Sequence, residues 1–180
     1  MASYTPPRPS LWSHTGPSGR LVFGVFLITV VGLWGLTPKT VFGVVLAWPH
    51  AALWGAVGWG RVGLSMRVVA LLIVFGLLQD ITFNAPLGCF VIVNLIVYGL
   101  STAAASTFDM KQDTLMSFIV PAGLFFVGFF VLWILASSFA DHAVRVMPLL
   151  AYMLATGLTY VLVADLFDLG RRPGTLSGSS

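Results

Sequence analysis

The sequence predicts an all-α, polytopic membrane helix bundle with about six transmembrane helices. Hydrophobic residues make up 58% of the chain and charged residues only 8%, whereas a typical soluble domain carries about 25% charged residues. A transmembrane helix needs about 20 predominantly apolar residues, and short polar breaks divide most of this chain into apolar segments of about that length. Because little chain remains outside these segments, we expect the protein to act within the bilayer.

The polar breaks place the predicted spans along the chain. They are Arg20–Leu36, Thr40–Gly60, Met66–Asp80, Leu87–Ser106, Leu115–Ser138 and Val144–Leu166. The second span allows two further interpretations, because Pro49 lacks a backbone N–H and interrupts it. That segment is then either a broken helix or a short span that follows a surface stretch.

The two ends of the chain have a different composition from the predicted spans. Residues 1–19 contain four prolines together with Ser, Thr and Gly, a composition typical of a disordered tail. No apolar core directly follows their basic residues, so we do not expect a cleavable signal peptide. Residues 169–180 are predicted to form a second, flexible tail, which leaves residues 20–168 as a single transmembrane helical domain.

The basic residues predict the orientation of the bundle. When the polar breaks are assigned alternately to the two sides of the membrane, seven basic residues fall on one side and two on the other. The first group is Arg8, Arg20, Arg61, Arg67, Lys111, Arg171 and Arg172, and the second is Lys39 and Arg145. Positive residues are enriched on the cytoplasmic side, so both termini are predicted to be cytoplasmic.

Asp80 is the most informative single residue. It closes the apolar run from Val68 to Leu78, and the chain turns apolar again after Pro86. An aspartate at the middle of a bilayer costs about 2.5–3.5 kcal/mol on insertion scales. We therefore expect Asp80 to lie at the end of a span, to face a cavity or to be paired inside the bundle. The simplest alternative is a polar stop that ends the helix before a loop.

Small residues repeat at helical spacing in the second predicted span. Ala47, Ala51 and Gly55 form one stripe and Ala52, Ala56 and Gly60 form another. Such stripes let another helix approach closely, and the pattern does not say whether that helix belongs to the same chain. Asn94 lies inside the fourth predicted span, where its amide needs a hydrogen-bond partner. We expect that partner to lie on a neighbouring helix.

The sequence offers little support for catalysis. The histidines, His14, His50 and His142, lie far apart in the chain, so none share a helix face at the spacing of metal ligands. The chain has no glutamate and no serine in a glycine-flanked turn next to a candidate base. We predict a protein that is not an enzyme, holds no metal or cofactor, and binds no nucleic acid.

One block of sequence resembles a known family. Phe75-Gly76-Leu77-Leu78-Gln79-Asp80 is followed by Ala85-Pro86-Leu87-Gly88. This resembles the signature of the MreD family of rod-shape-determining proteins, in which Gly-Leu-Leu-x-Asp ends one span and Pro-Leu-Gly opens the next. Gly76, Asp80, Pro86, Leu87 and Gly88 are the positions that carry the match. The family's final basic cluster is reduced here to Arg171 and Arg172.

The resemblance implies a non-enzymatic scaffold of the elongation (rod) complex in the bacterial inner membrane, supporting peptidoglycan synthesis and cell shape. Its expected partners are MreC and, through it, RodA with the elongation class-B penicillin-binding transpeptidase, with MreB filaments indirectly and membrane lipid around the bundle. We hypothesise that the bundle seats the transmembrane helix of MreC. Asp80, Asn84 and the turn at Pro86–Gly88 would fix the outer ends of the third and fourth spans.

The main alternative is a substrate-binding S component of an energy-coupling-factor vitamin transporter, a class whose general fold the MreD family is expected to share. Such a protein binds a small molecule in an outward cavity, which Asp80, Asn84 and Asn94 would line. The small number of polar groups on the predicted outer side argues against this function. A membrane scaffold outside either family is the third alternative.

Overall fold

The computed structural model describes residues 16–37, 40–41, 44–45, 47–108, 114–139 and 145–169. Six helices lie in these ranges: α1 (Pro17–Trp34), α2 (Ala51–Gly60), α3 (Met66–Thr82), α4 (Cys89–Thr107), α5 (Thr114–Phe139) and α6 (Val146–Phe167). Between α1 and α2, the two-residue strands β1 (Thr40–Val41) and β2 (Val44–Val45) pair in antiparallel fashion. The remaining described residues form turns and connections, so the architecture is helical.

Four of the helices, α1, α4, α5 and α6, are long and apolar enough to cross a membrane. The chain is therefore a multi-pass membrane protein. Helix α3 has 17 residues and is about 25 Å long, slightly less than the about 30 Å of a bilayer's hydrocarbon core. Helix α2 has only 10 residues, so it is about 15 Å long and reaches about halfway across.

The prediction of a span from Thr40 to Gly60 was wrong. The first part of this segment forms the paired strands, and the helix begins only at Ala51. The β-branched residues in the first part of the segment favour extended backbone. Pro49 disfavours helical backbone in the residue before it. His50 follows with non-helical φ and ψ of −80° and 85° and acts as the N-cap. The segment matches neither of the two other interpretations, a broken helix or a short span after a surface stretch, because the ten residues of α2 are all buried in the bundle and too few to span a bilayer.

The other five helices begin and end within about three residues of the predicted spans. Helix α1 begins at Pro17 rather than Arg20, because proline is favoured in the first helical turn, where its missing N–H has no partner to lose. Residues 17–19 are thus helical, although they were assigned to the first tail. Residues 1–15 and 170–180 of the two predicted tails lie outside the described residues, as do His14 and His142.

Consecutive helices alternate in direction, which gives the bundle two ends. The Asp80 end is where α1 and α3 end and α2 and α4 begin, and there Trp48 Nε1 donates a hydrogen bond of 2.8 Å to the Val31 carbonyl. The Arg67 end is where α1 and α3 begin and α6 ends. There a guanidinium nitrogen of Arg20 donates a hydrogen bond of 3.0 Å to the Asp168 carbonyl.

Helix α2 lies at the centre of the bundle. All of its residues are buried, and it contacts each of the other five helices. The longer helices around it carry exposed apolar side chains, among them Phe26 on α1, Ile81 on α3 and Leu162 on α6. An apolar exterior is what a lipid environment requires, so the short helix is shielded from lipid by the long ones.

Small residues on α2 are what allow the surrounding helices to come so close. A Cβ added at Gly55 would lie 2.9 Å from the Ile28 side chain, and one at Gly60 would lie 2.6 Å from Cβ of Ser101. Gly58 packs directly against Phe167. The predicted packing residues Ala51, Ala52, Gly55, Ala56 and Gly60 all lie on this enclosed helix.

Hydrogen bonds join α2 to α6 at a single threonine. The hydroxyl of Thr156 accepts a hydrogen bond of 3.0 Å from the backbone N–H of His50, and the Thr156 carbonyl accepts one of 3.0 Å from Trp54 Nε1. The same hydroxyl donates to the Tyr152 carbonyl at 2.7 Å. Because the first N–H groups of a helix have no partner within it, Thr156 satisfies a donor that would otherwise be buried and unpaired.

We therefore expect Thr156→Val to lower the free energy of unfolding by about 1–3 kcal/mol, since the substitution keeps the shape and removes the acceptor for His50. The matched control is Thr159→Val on the same helix, whose hydroxyl bonds only to carbonyls of α6. Thermal unfolding in detergent checks this. Equal changes in Tm for the two variants would contradict the role given to Thr156.

Candidate functional site

Asp80 caps the start of the following helix. It lies near the end of α3 and is fully buried. Its Oδ2 accepts a hydrogen bond of 2.7 Å from the N–H of Gly88, and its Oδ1 accepts one of 2.8 Å from the N–H of Phe90. Gly88 is the N-cap of α4 and Phe90 lies in its first turn. A side chain of α3 thus supplies the capping oxygens that Gly88 lacks.

The connection between α3 and α4 is shaped around this carboxyl group. The backbone carbonyl of Asp80 accepts a hydrogen bond of 2.9 Å from the N–H of Ala85, so both its side chain and its backbone hold the turn. Gly88 has φ of +96°, a conformation that residues with a Cβ adopt only with strain. The glycine of the Pro-Leu-Gly motif is therefore required by its backbone angle.

The cap has a double energetic basis. The unpaired N–H groups at the start of a helix carry the positive end of its dipole, so a carboxyl group there is favourable. The N–H of Phe90 is buried, so without Asp80 it would stay unsatisfied, whereas that of Gly88 is only partly buried. The buried carboxyl group of Asp80 and the N–H groups at the start of α4 therefore satisfy each other.

Gly76 brings the two helices close enough for the cap. It lies one turn before Asp80 on the buried face of α3. A Cβ at this position would lie 2.6 Å from Cα of Val91 and 2.7 Å from its backbone nitrogen. Since backbone atoms cannot rotate away as a side chain does, any larger residue pushes α3 from α4.

A second polar contact joins the same helices. Nδ2 of Asn94 donates a hydrogen bond of 3.2 Å to Oε1 of Gln79, the residue before Asp80. Asn94 is fully buried, and its Oδ1 has no hydrogen-bond partner among the described residues. The neighbouring-helix partner expected for Asn94 is thus Gln79 of α3.

His50 lies beside this cap in a cluster of aromatic rings. The ring centroids of Phe83, Phe90, Phe129 and Tyr152 lie 5.0–5.5 Å from that of its imidazole. Only 5% of His50 is exposed, and its Nδ1 has no hydrogen-bond partner in the part of the chain that the structure describes. The backbone N–H of Phe90 also donates to Asp80, so Phe90 belongs to both the cap and the aromatic cluster.

His50 also lines a cavity at the Asp80 end, with a volume of about 280 Å³. Thr29 and Leu33 of α1 form one side of it, Gln79 of α3 forms the other, and Trp48 lies beside His50. Most of its lining residues are apolar. The cavity is smaller than the about 300–1,000 Å³ of typical small-molecule sites.

The arrangement holds helices together. Within the described ranges, no three His, Cys, Asp or Glu side chains come together as a metal site would require. Both oxygens of Asp80 are occupied by backbone N–H groups. What the site can do chemically is fix the relative position of α3, α4 and the start of α2.

The structure brings together most of the motif predicted from the sequence. Gly76, Asp80 and Gly88 all act at the crossing of α3 and α4, whereas Leu87 points outward with 77% of its surface exposed. Pro86 accepts, through its carbonyl, a hydrogen bond of 3.1 Å from the N–H of Cys89. Sequence reasoning gave no role to His50, although its position directly after Pro49 marks the start of the central helix.

No family model, no curated protein and no solved structure matches this chain.

Replacing Asp80 should be the most damaging change in the turn. We expect Asp80→Ala to lower the free energy of unfolding by about 3 kcal/mol, because one buried and one partly buried N–H group lose a shared acceptor. Asp80→Asn keeps only one acceptor oxygen and should fall between wild type and alanine. Unfolding of the purified protein in detergent measures both. A variant as stable as wild type would contradict the cap.

Gly76 gives an independent test of the same crossing. We expect Gly76→Ala to destabilise the protein by about 1–3 kcal/mol through overpacking against Val91. Gly99→Ala on α4 is the control, since a Cβ there meets no atom within 4 Å and alanine is the better helix former. A larger fall in Tm for Gly99→Ala than for Gly76→Ala would contradict the close packing of α3 and α4 at Gly76.

Proposed function

We propose that the protein is a non-enzymatic membrane scaffold of the MreD type. In this role it holds MreC, and through MreC the complex of RodA with the elongation class-B transpeptidase, in the bacterial inner membrane. The Asp80 end faces outward and both termini are cytoplasmic. The observation that carries the proposal is the capped crossing of α3 and α4, made by the residues on which the resemblance to the MreD family rests.

The chemistry of the bundle supports a holding role. Its buried polar groups serve mainly as hydrogen-bond partners between helices: Asp80 caps α4, Gln79 pairs with Asn94, and Thr156 joins α2 to α6. Scaffolds need surfaces kept in fixed relation, which such interhelical hydrogen bonds provide.

The position of α2 changes where a partner helix would bind. Its small-residue stripes contact α1, α4 and α6 of the same chain, so they are used within the bundle. A helix of MreC would instead contact the outer helices. On α3, the exposed residues Val74, Leu78 and Ile81 lie at helical spacing on the helix that ends in the cap.

The cavity beside His50 favours a second candidate function. An S component of an energy-coupling-factor transporter holds a small molecule in an outward cavity, and the Asp80-end cavity offers an imidazole and the amide of Gln79 among apolar walls. Its volume of about 280 Å³ limits the candidate to a small ligand. This function predicts a vitamin or an ATPase-linked membrane partner in place of MreC.

Co-purification tests the proposal. A tagged wild-type chain extracted from native membranes should recover MreC, and Asp80→Ala at matched expression should recover several-fold less, because the outer ends of α3 and α4 lose their fixed relation. Asp165→Ala, an exposed aspartate on α6 at the opposite end, is the matched control and should behave as wild type.

The outcomes separate the candidates. Size-exclusion chromatography shows whether Asp80→Ala is still folded, so loss of MreC from a monodisperse variant assigns the cap to assembly. Wild-type recovery of MreC by Asp80→Ala would remove the cap from partner binding. If the wild-type chain recovers no MreC and brings down a vitamin or an ATPase-linked partner, the transporter function replaces the scaffold.

A further inference from the structure

A large recess lies at the Arg67 end, opposite the cap. It has a volume of about 940 Å³ and separates the first turns of α1 from those of α3. Helices α1 and α3 do not pack against each other along their described lengths. Trp59 of α2 and residues 62–65 of the following turn complete its wall. We call it the Arg67 recess, after the charged residue in its lining.

Two helix N-termini border this recess. Pro17 and Ser18 of α1 and Met66 to Val68 of α3 are lining residues. Neither helix has a side-chain cap or an acidic residue in its first turn. Pro17 has no N–H, so α1 offers the N–H groups of Ser18 and Gly19, and α3 offers those of its first turn. These groups carry the positive ends of two helix dipoles. Such termini bind anions, phosphate groups above all.

Two side chains point to the same kind of ligand. Arg67 lines the recess and is exposed there. Trp59 is fully buried in the wall, and its indole N–H lacks an acceptor within the described ranges. The backbone carbonyl of Asp168, a nearby acid, accepts a hydrogen bond from Arg20. An arginine at a helix end of a membrane protein attracts anionic lipid headgroups.

We propose that the Arg67 recess binds the phosphate group of an anionic phospholipid. Arg67 and the N–H groups at the starts of α1 and α3 hold the phosphate oxygens, while the acyl chains follow the exposed apolar residues Val22 and Leu64, which also line the recess. A soluble phosphate ester carries the same anionic group but has no acyl chains to contact these apolar walls. Basic recesses between transmembrane helices bind lipid headgroups in this way.

Native mass spectrometry of the full chain tests this site. Detergent-purified protein is titrated with phosphatidylglycerol or with phosphatidylcholine, and bound lipids are counted. Wild type should retain phosphatidylglycerol preferentially, and Arg67→Gln should weaken its binding about fivefold, the expected loss for one basic side chain. Arg67→Lys should restore most of the binding. Arg145→Gln, which removes an exposed arginine before α6 at the opposite end, is the control.

The outcomes are distinct from those for partner binding. Equal loss in Arg67→Gln and Arg145→Gln, or no loss in either, would overturn the site. A third arm adds millimolar inorganic phosphate: unchanged lipid counts support a phospholipid, whereas displacement of the lipid or binding of phosphate alone assigns the recess to a soluble anion and overturns the lipid. Recovery of MreC is measured separately, so failure here leaves the scaffold proposal standing.

Discussion

A helix that begins inside an apolar bundle leaves backbone N–H groups that lipid cannot satisfy, and the rest of this structure depends on how one aspartate meets that need. Asp80 accepts hydrogen bonds from Gly88 and Phe90 at the start of α4. The acceptor comes from the preceding helix, so the start of α4 is fixed relative to the end of α3. A polar residue that only ended α3 before a loop would not fix the start of α4 in this way.

The rest of the bundle is arranged around the helix pair so fixed. Phe90, the second of the capped residues, contacts the ring of His50, which precedes the short central helix α2. Thr156 holds the same start from the side of α6. The Asp80 end thus joins α2, α3, α4, α5 and α6 through hydrogen bonds and aromatic rings, whereas a large recess separates the first turns of α1 and α3 at the Arg67 end. We propose that the first end forms the fixed scaffold surface and that the second binds a lipid.

The sequence predicted the long helices well and singled out Gly76, Asp80 and Gly88, because both results follow from local rules. Apolar length and polar breaks define spans, and an acid beside Pro-Leu-Gly indicates a special turn. The short α2 was missed because its residues are as apolar as those of a true span. Only the pairing of Thr40 with Val45 and the enclosure of Gly55 and Gly58 by other helices show otherwise. The His50 cluster depends on contacts between distant segments, which no local pattern reports.

The most direct test of the central claim is amide hydrogen exchange, resolved by residue, on the wild-type protein in detergent micelles. The cap predicts that the N–H groups of Gly88 and Phe90 exchange as slowly as those inside α4, although the first N–H groups of a helix ordinarily exchange quickly. Rapid exchange at both residues, with the interior of α4 protected, would show that Asp80 does not hold the start of this helix and would contradict the account.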